Sequence, residues 1–176
     1  MFKIAPRFKK EGQVKMTQKK SLPISSWDIV FPNDANPLGT MFGGRLMAIM
    51  DEMSGIAASR YCGRPAVTAS TEAFIFYNPV RVGDRIETIA RVVWTGTTSM
   101  VVKVQVFSEN PIQGRERRQC TTAHFNMVAV DEQGKPTAVP PLLVESEEEK
   151  RDYDVAEIVK NQAIIRKSQV MERKQK

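Results

Sequence analysis

Residues 45–61 repeat apolar side chains at helical spacing, and this one-sided helix is what most restricts the fold. At about 100° per residue, Leu46, Ile49, Met50, Met53 and Ala57 fall on a single stripe. A stripe that continuous has to be buried. Cys62-Gly63-Arg64-Pro65 then stops the helix with Gly and Pro, and the chain beyond turns β-branched and aromatic. The simplest burial lays the helix across a sheet.

The sheet can be read in order. Residues 25–31 form a short β-like run closed by the turn Pro32-Asn33-Asp34. Residues 67–76 predict a first long strand and residues 86–94 a second. Residues 100–107 predict a third, where Val102, Val104 and Val106 alternate with Lys103 and Gln105. The short polar joint Thr95-Gly96-Thr97-Thr98-Ser99 makes the second and third an antiparallel hairpin. Residues 109–117, polar with Pro111 and Gly114, predict a turn, and residues 119–130 a fourth strand. From Ser146 the chain is charged and helix-prone, with Glu147, Glu148 and Glu149 suiting a capped first turn. One helix covers one face of such a sheet. Pairing with a second copy is the economical cover for the other face and the edges.

The net charge of +6 does not describe the body of the chain. Residues 1–20 hold seven Lys/Arg and one Glu, and residues 158–176 hold six Lys/Arg and one Glu, which leaves −5 between them. The basicity lies in the ends rather than on a folded face, and no nucleic-acid motif accompanies it, so no nucleic-acid partner is expected. The expected organisation is a mobile basic extension over residues 1–20, one domain over 21–145, and a charged helix or tail over 146–176. No apolar run approaches the ~18 residues of a membrane span, and the basic N-terminus lacks the apolar core of a signal peptide. Cys62 and Cys120 are too few for a disulfide framework or a zinc site and read as reduced thiols of a cytoplasmic protein. No metal is expected.

Chemistry concentrates in residues 36–51. Asn36 can hold a water or a carbonyl. Gly43 and Gly44 allow close approach to the backbone where the helix begins, and there the unpaired N–H groups and the helix dipole favour negative charge. Asp51 falls off the apolar stripe, among Ala48, Ser54, Gly55 and Ala58. A helical Asp is ordinarily a solvated edge residue. A flanking face this small and apolar instead suits close approach by something else. His124, the single histidine, has no nucleophile beside it in the sequence.

The ordered set Asn36-x-x-Gly39-Thr40-x-Phe42-Gly43-Gly44-x-Leu46-Met47 with Met50-Asp51 resembles the signature of hotdog-fold acyl-coenzyme A thioesterases. The likeness continues through Asn78-Pro79-Val80, Val82-Gly83-Asp84, residues 95–100 and residues 129–136, and so covers about residues 25–150. Pro37 departs from it, since many relatives carry His after the Asn.

The resemblance implies an α+β hotdog fold, an antiparallel sheet wrapped around a central helix, here with a C-terminal helix added. It implies a dimer with one continuous sheet, and often three such dimers. The implied reaction is hydrolysis of acyl-CoA to CoA and a carboxylic acid, with coenzyme A as part of the substrate and no separate cofactor. The implied site lies between protomers. Asn36 of one faces Asp51 of the other, Asp51 acts as general base or nucleophile, and the Gly44 N–H, with Gly43, forms the oxyanion hole. Thr97, Thr98 and Ser99, with Arg81 and Arg85, are the candidates for the CoA phosphates. Two other readings remain: a hotdog dehydratase of hydroxyacyl thioesters, and a non-catalytic acyl-CoA sensor.

Overall fold

The computed structural model describes residues 16–174. The chain order is β1 (Ile24–Ile29), helix α1 (Gly43–Cys62), β2 (Ala66–Phe76), β3 (Arg85–Thr95), β4 (Ser99–Asn110), β5 (Arg115–Ala129) and helix α2 (Glu147–Lys174), with single 3-10 turns at Pro32–Asp34 and Pro111–Gln113. The five strands form one antiparallel sheet in the order β1-β3-β4-β5-β2. β2 is therefore an edge strand, hydrogen-bonded on one side to β5.

α1 lies across the sheet. Its predicted stripe is buried, and Ala58 and Tyr61 join it. The stripe packs on the inward residues of β3, β4 and β5, among them Ile86, Val102, Val104, Phe125 and Met127. Gly63 ends the helix in the left-handed conformation, φ +68°, as expected of a helix-stopping glycine.

Two elements differ from the sequence expectation. β5 begins at Arg115, so the break after β4 is only the turn around Pro111–Gln113. The polar start of β5 is carried by its neighbours: the Arg117 guanidinium stacks 3.7 Å over the Phe107 ring and pairs with Glu87 at 2.8 Å. Arg115 pairs with the buried Asp84, whose other oxygen accepts the Arg81 N–H at 2.9 Å. This fastens the Val82-Gly83-Asp84 turn, where Gly83 has φ +83°.

The second difference is on the outer face. The sequence left that face to a second copy, but α2 covers its β3–β4 half. Ala156 packs with Val93, Val101 and Trp94. Asp152 accepts from Arg91 and Lys103, both at 2.7 Å. The predicted cap is present as a reciprocal pair, Glu149 N–H to Ser146 Oγ at 3.1 Å and Ser146 N–H to Glu149 Oε2 at 3.2 Å.

Residues 1–15 of the expected mobile extension lie outside the described residues. Within the described part, Lys19 bridges Leu142, and its ammonium donates to the Tyr61 carbonyl at 2.6 Å, so Lys19 packs against the domain. No described helix is long and apolar enough to cross a membrane.

Candidate active site

The loop before α1 is organised by Asn36. Its Oδ1 accepts the N–H of Leu38 at 2.9 Å and of Thr40 at 3.3 Å. Its carbonyl accepts the N–H of Gly39 at 2.9 Å, and its Nδ2 donates to Thr40 Oγ1 at 2.9 Å. This is the side chain-to-backbone bonding that makes Asn a turn residue. Leu38 follows Pro37 directly, so Pro37 sits inside the turn that Asn36 closes.

α1 starts without a side-chain cap, because the N-cap residue is Phe42. The Phe42 carbonyl is taken by the N–H groups of Arg45 and Leu46, at 2.9 and 3.2 Å. The N–H groups of Gly43 and Gly44 precede these, at the positions an α-helix leaves unpaired. No acidic residue stands in the first turn, so the positive end of the dipole is not neutralised within the helix. A side chain on Gly44 would meet the exposed Phe42 ring. A Cβ there would stand 2.6 Å from Phe42 Cε1. Beside Gly43 lies a cavity of about 300 Å³ with Met41, Leu46, Phe76 and Val80 in its lining, suited to an alkyl group.

Asp51 is exposed in the single chain, with Ser54 and Ala58 of its small-residue face buried behind it. It is not free. Thr68 Oγ1 donates to Asp51 Oδ1 at 2.6 Å. A β-bulge makes this possible. Thr68 pairs with Met127 and Ser70 with Asn126, so Ala69 is the extra residue. Thr68 then faces α1 while Ser70 turns to the outer face. Sequence reasoning missed Thr68. The available signal was a hydroxyl early in the strand that runs back along the helix carrying Asp51.

Within one chain the sequence-predicted residues fall into two groups. Gly43 lies beside Phe76, at the end of β2. Arg81, bridged to Thr40, and Arg85, which starts β3, lie at that same end of the sheet. Thr97, Thr98 and Ser99 lie at the other end. Ser99 pairs with Val128, and the Thr98 carbonyl accepts the Ala129 N–H at 3.0 Å, beside Ala66 at the start of β2. Eleven residues of strand separate the ends, roughly 30 Å. Asn36 and Asp51 are likewise not joined within the chain, since their side chains bond only to Leu38, Thr40 and Thr68 among the described residues.

His124 is buried on the outer face, with Nδ1 unpartnered. Its register neighbours are Glu72 and Lys103. Burial first, then the Lys103 charge, hold its pKa below the usual histidine range, against an opposing pull from Asp152. The sheet separates it from α1. Among the described residues no cluster of His, Cys, Asp and Glu could hold a metal.

A central helix wrapped by an antiparallel sheet is the hotdog fold, and its matches to known proteins place it among thioesterases. Residues 38–114 match the thioesterase superfamily. An uncharacterised acyl-CoA thioester hydrolase of Bacillus subtilis is 39% identical over 81% of this chain and 77% of its own length. A solved apo-hexameric acyl-CoA thioesterase superposes with a TM-score of 0.77 at 40% identity, over 82% of this chain and 92% of that one. An acyl-CoA hydrolase of Staphylococcus aureus, solved with butyryl coenzyme A, coenzyme A and coenzyme A disulfide, gives 0.75 at 36%, over 87% and 91%. The chain belongs to the acyl-CoA thioester hydrolase family of that superfamily.

Proposed function

We propose that this protein hydrolyses acyl-CoA thioesters at a site shared by two copies of the chain, with Asp51 as the acid-base or nucleophilic group. The observation that carries the reading is Asp51 itself, a carboxylate on a small-residue helix face with one oxygen held by Thr68.

One line supports the sharing and a second the choice of residues. First, β2 is an edge strand. If two copies pair antiparallel through β2 about a twofold axis, the start of one β2 lies beside the end of the other. Thr68 and the Thr97–Ser99 turn of one copy then come to the end that carries Gly43, Gly44, Arg81 and Arg85 of its twin. Groups that one chain holds apart become neighbours. Second, the Staphylococcus aureus hydrolase has been solved with an aspartate, an asparagine and a threonine each replaced by alanine. Their intervals in that sequence are those between Asn36, Asp51 and Thr68 here.

The chemistry follows. The thioester carbonyl lies against the α1 N-terminus, where the Gly43 and Gly44 N–H groups stabilise the oxyanion of the tetrahedral intermediate. Asp51 either takes a proton from the attacking water or attacks the carbonyl itself. Collapse breaks the C–S bond and releases coenzyme A. With water as nucleophile the carboxylic acid leaves in the same step, and the proton held by Asp51 goes to the departing thiolate. With Asp51 as nucleophile a mixed anhydride remains, which water then hydrolyses to the acid and free Asp51. Asn36 fixes the loop against which the carbonyl or water rests. Thr97, Thr98, Ser99, Arg81 and Arg85 supply hydroxyls, N–H groups and cations for the phosphates. Two relatives are described as hexameric, and three such dimers are our reading for this chain. The free thiols Cys62 and Cys120 suit the reducing cytoplasm.

Thiol release from acyl-CoA of graded chain length tests the activity. Asp51→Ala is expected to lose about 10²–10⁴-fold in turnover with an unchanged far-UV spectrum. Full activity in that variant ends the assignment. A sensor would bind without releasing thiol, and a dehydratase would alter the acyl chain. His124, the group a dehydratase needs, lies on the wrong face of the sheet.

A further inference from the structure

α2 is fastened at its start and open toward its end. Asp152 and Ala156 seat its first half on β3 and β4. Its second half reaches over β5 and β2, where Arg166 pairs with Glu72 at 2.9 Å. Between that half and the sheet runs a groove of about 560 Å³. Asn126 and Val128 stand on its sheet side, and Ile164, Val170 and Met171, each about half exposed, on its helix side.

The charges in the groove do not balance. Lys160, Arg166 and Lys167 line it, against one carboxylate, Glu72, which Arg166 already occupies. Lys160 and Lys167 have no carboxylate partner among the described residues. Partial burial and the Lys167 charge both push the Lys160 ammonium below its ordinary pKa. Asn126 is 2% exposed. Its Nδ2 donates to Ser70 Oγ at 3.0 Å, and its Oδ1 receives no donor. A buried acceptor left this way costs about 1–3 kcal/mol unless something fills the place. An apolar wall beside unpaired ammonium groups fits an amphiphile with an anionic head. It does not fit a second copy of the same surface, which would bring like charges together.

We propose that this groove binds the carboxylate of a long-chain acyl acid, with its head between Lys160 and Lys167 and its chain along Ile164, Val170 and Met171. A water held by the carboxylate can donate its second hydrogen to Asn126 Oδ1. The choice of anion rests on the hydrolytic reading above, because that reaction releases such an acid. The location does not, because the groove lies on the sheet face opposite α1. The enzyme would thus carry a product site apart from its thioester site.

The test uses the full chain and dodecanoate, followed by calorimetry below the micellar concentration. Wild type and Asp51→Asn should bind it alike. The Lys160→Gln/Lys167→Gln protein should bind about tenfold or more weakly, having lost two charge-assisted contacts. Ala163→Trp, which fills the groove, should also weaken binding, and free coenzyme A should not compete. Wild-type affinity in the double variant overturns the proposal, as does competition by coenzyme A or no binding up to about 1 mM. A change of oligomeric state in the double variant overturns it too, since the groove would then be a contact between copies. Thiol release is measured on the same preparations. Binding without thiol release leaves the groove standing and rejects the hydrolytic reading, and release without binding rejects the groove alone.

Discussion

Thr68 Oγ1 donates to Asp51 Oδ1 across 2.6 Å and so joins the edge strand β2 to the central helix through the proposed reacting group. The bulge at Ala69 turns Thr68 toward the helix. A carboxylate serves as base or nucleophile through one oxygen. Holding the other fixes its direction.

Thr68→Val keeps the side-chain branching and removes the donor. Its turnover number is expected to fall about 10–100-fold with KM little changed, the pattern of a group that positions another in the transition state. Thr68→Ser should recover most of the loss. Steady-state thiol release reads both, and a wild-type turnover number in Thr68→Val would show that the hydrogen bond takes no part.

Gly44→Ala is expected to slow turnover, because the exposed Phe42 ring stands where its Cβ would go and must move aside. Gly44→Ala should displace that ring and shift the N–H groups at the helix start. A displacement of about 1 Å at reacting distance costs on the order of 10²-fold in rate. If the ring is the cause, Phe42→Ala in the same chain restores part of the activity. A double variant as slow as Gly44→Ala alone would trace the loss to the backbone itself.

These two residues show where sequence reasoning succeeds and where it stops. The helix was legible because its apolar spacing is local, and all five predicted stripe residues are buried. Gly43 and Gly44 were legible because helix starts and glycine pairs are local too. Thr68 was not. Its meeting with Asp51 depends on a bulge, and a one-residue register shift leaves no mark in an alternating β-branched run. The start of β5 was misread as a turn because Arg115 and Arg117 look like loop residues until Asp84, Glu87 and Phe107 stand beside them. The seat of α2 was equally hidden, since pairs of Asp152 with Arg91 and Lys103, far off in the sequence, hold its first half.

His124 gives a pH dependence whose sign is fixed. Its pKa in the folded protein lies below the ordinary value, chiefly through burial. The unfolded chain therefore binds this proton more readily than the folded one, and stability falls as pH drops through the ordinary histidine range near ~6.5. Glu72, Lys103 and Asp152 face or flank the ring and also enter the balance. Urea midpoints of wild type should decline between pH 7.5 and pH 5.5. His124→Gln, which does not titrate there, should decline less. Equal slopes for the two proteins would remove His124 as the source.

The sharing of the site has its own test, because a site built from two copies can be repaired by mixing two broken ones. Asn36→Ala and Asp51→Ala each disable every site in their own homodimers. A mixed dimer places both substitutions in one of its sites and leaves the other with the natural Asn36 and Asp51. Refolding the two variants together at equal amounts makes half the dimers mixed, each with half its sites intact, so activity should return to about a quarter of wild type. If instead both residues act within one chain, no combination restores a site, and the mixture stays at the level of its components. Thiol release before and after co-refolding, with dimer exchange followed by mass, separates the two outcomes.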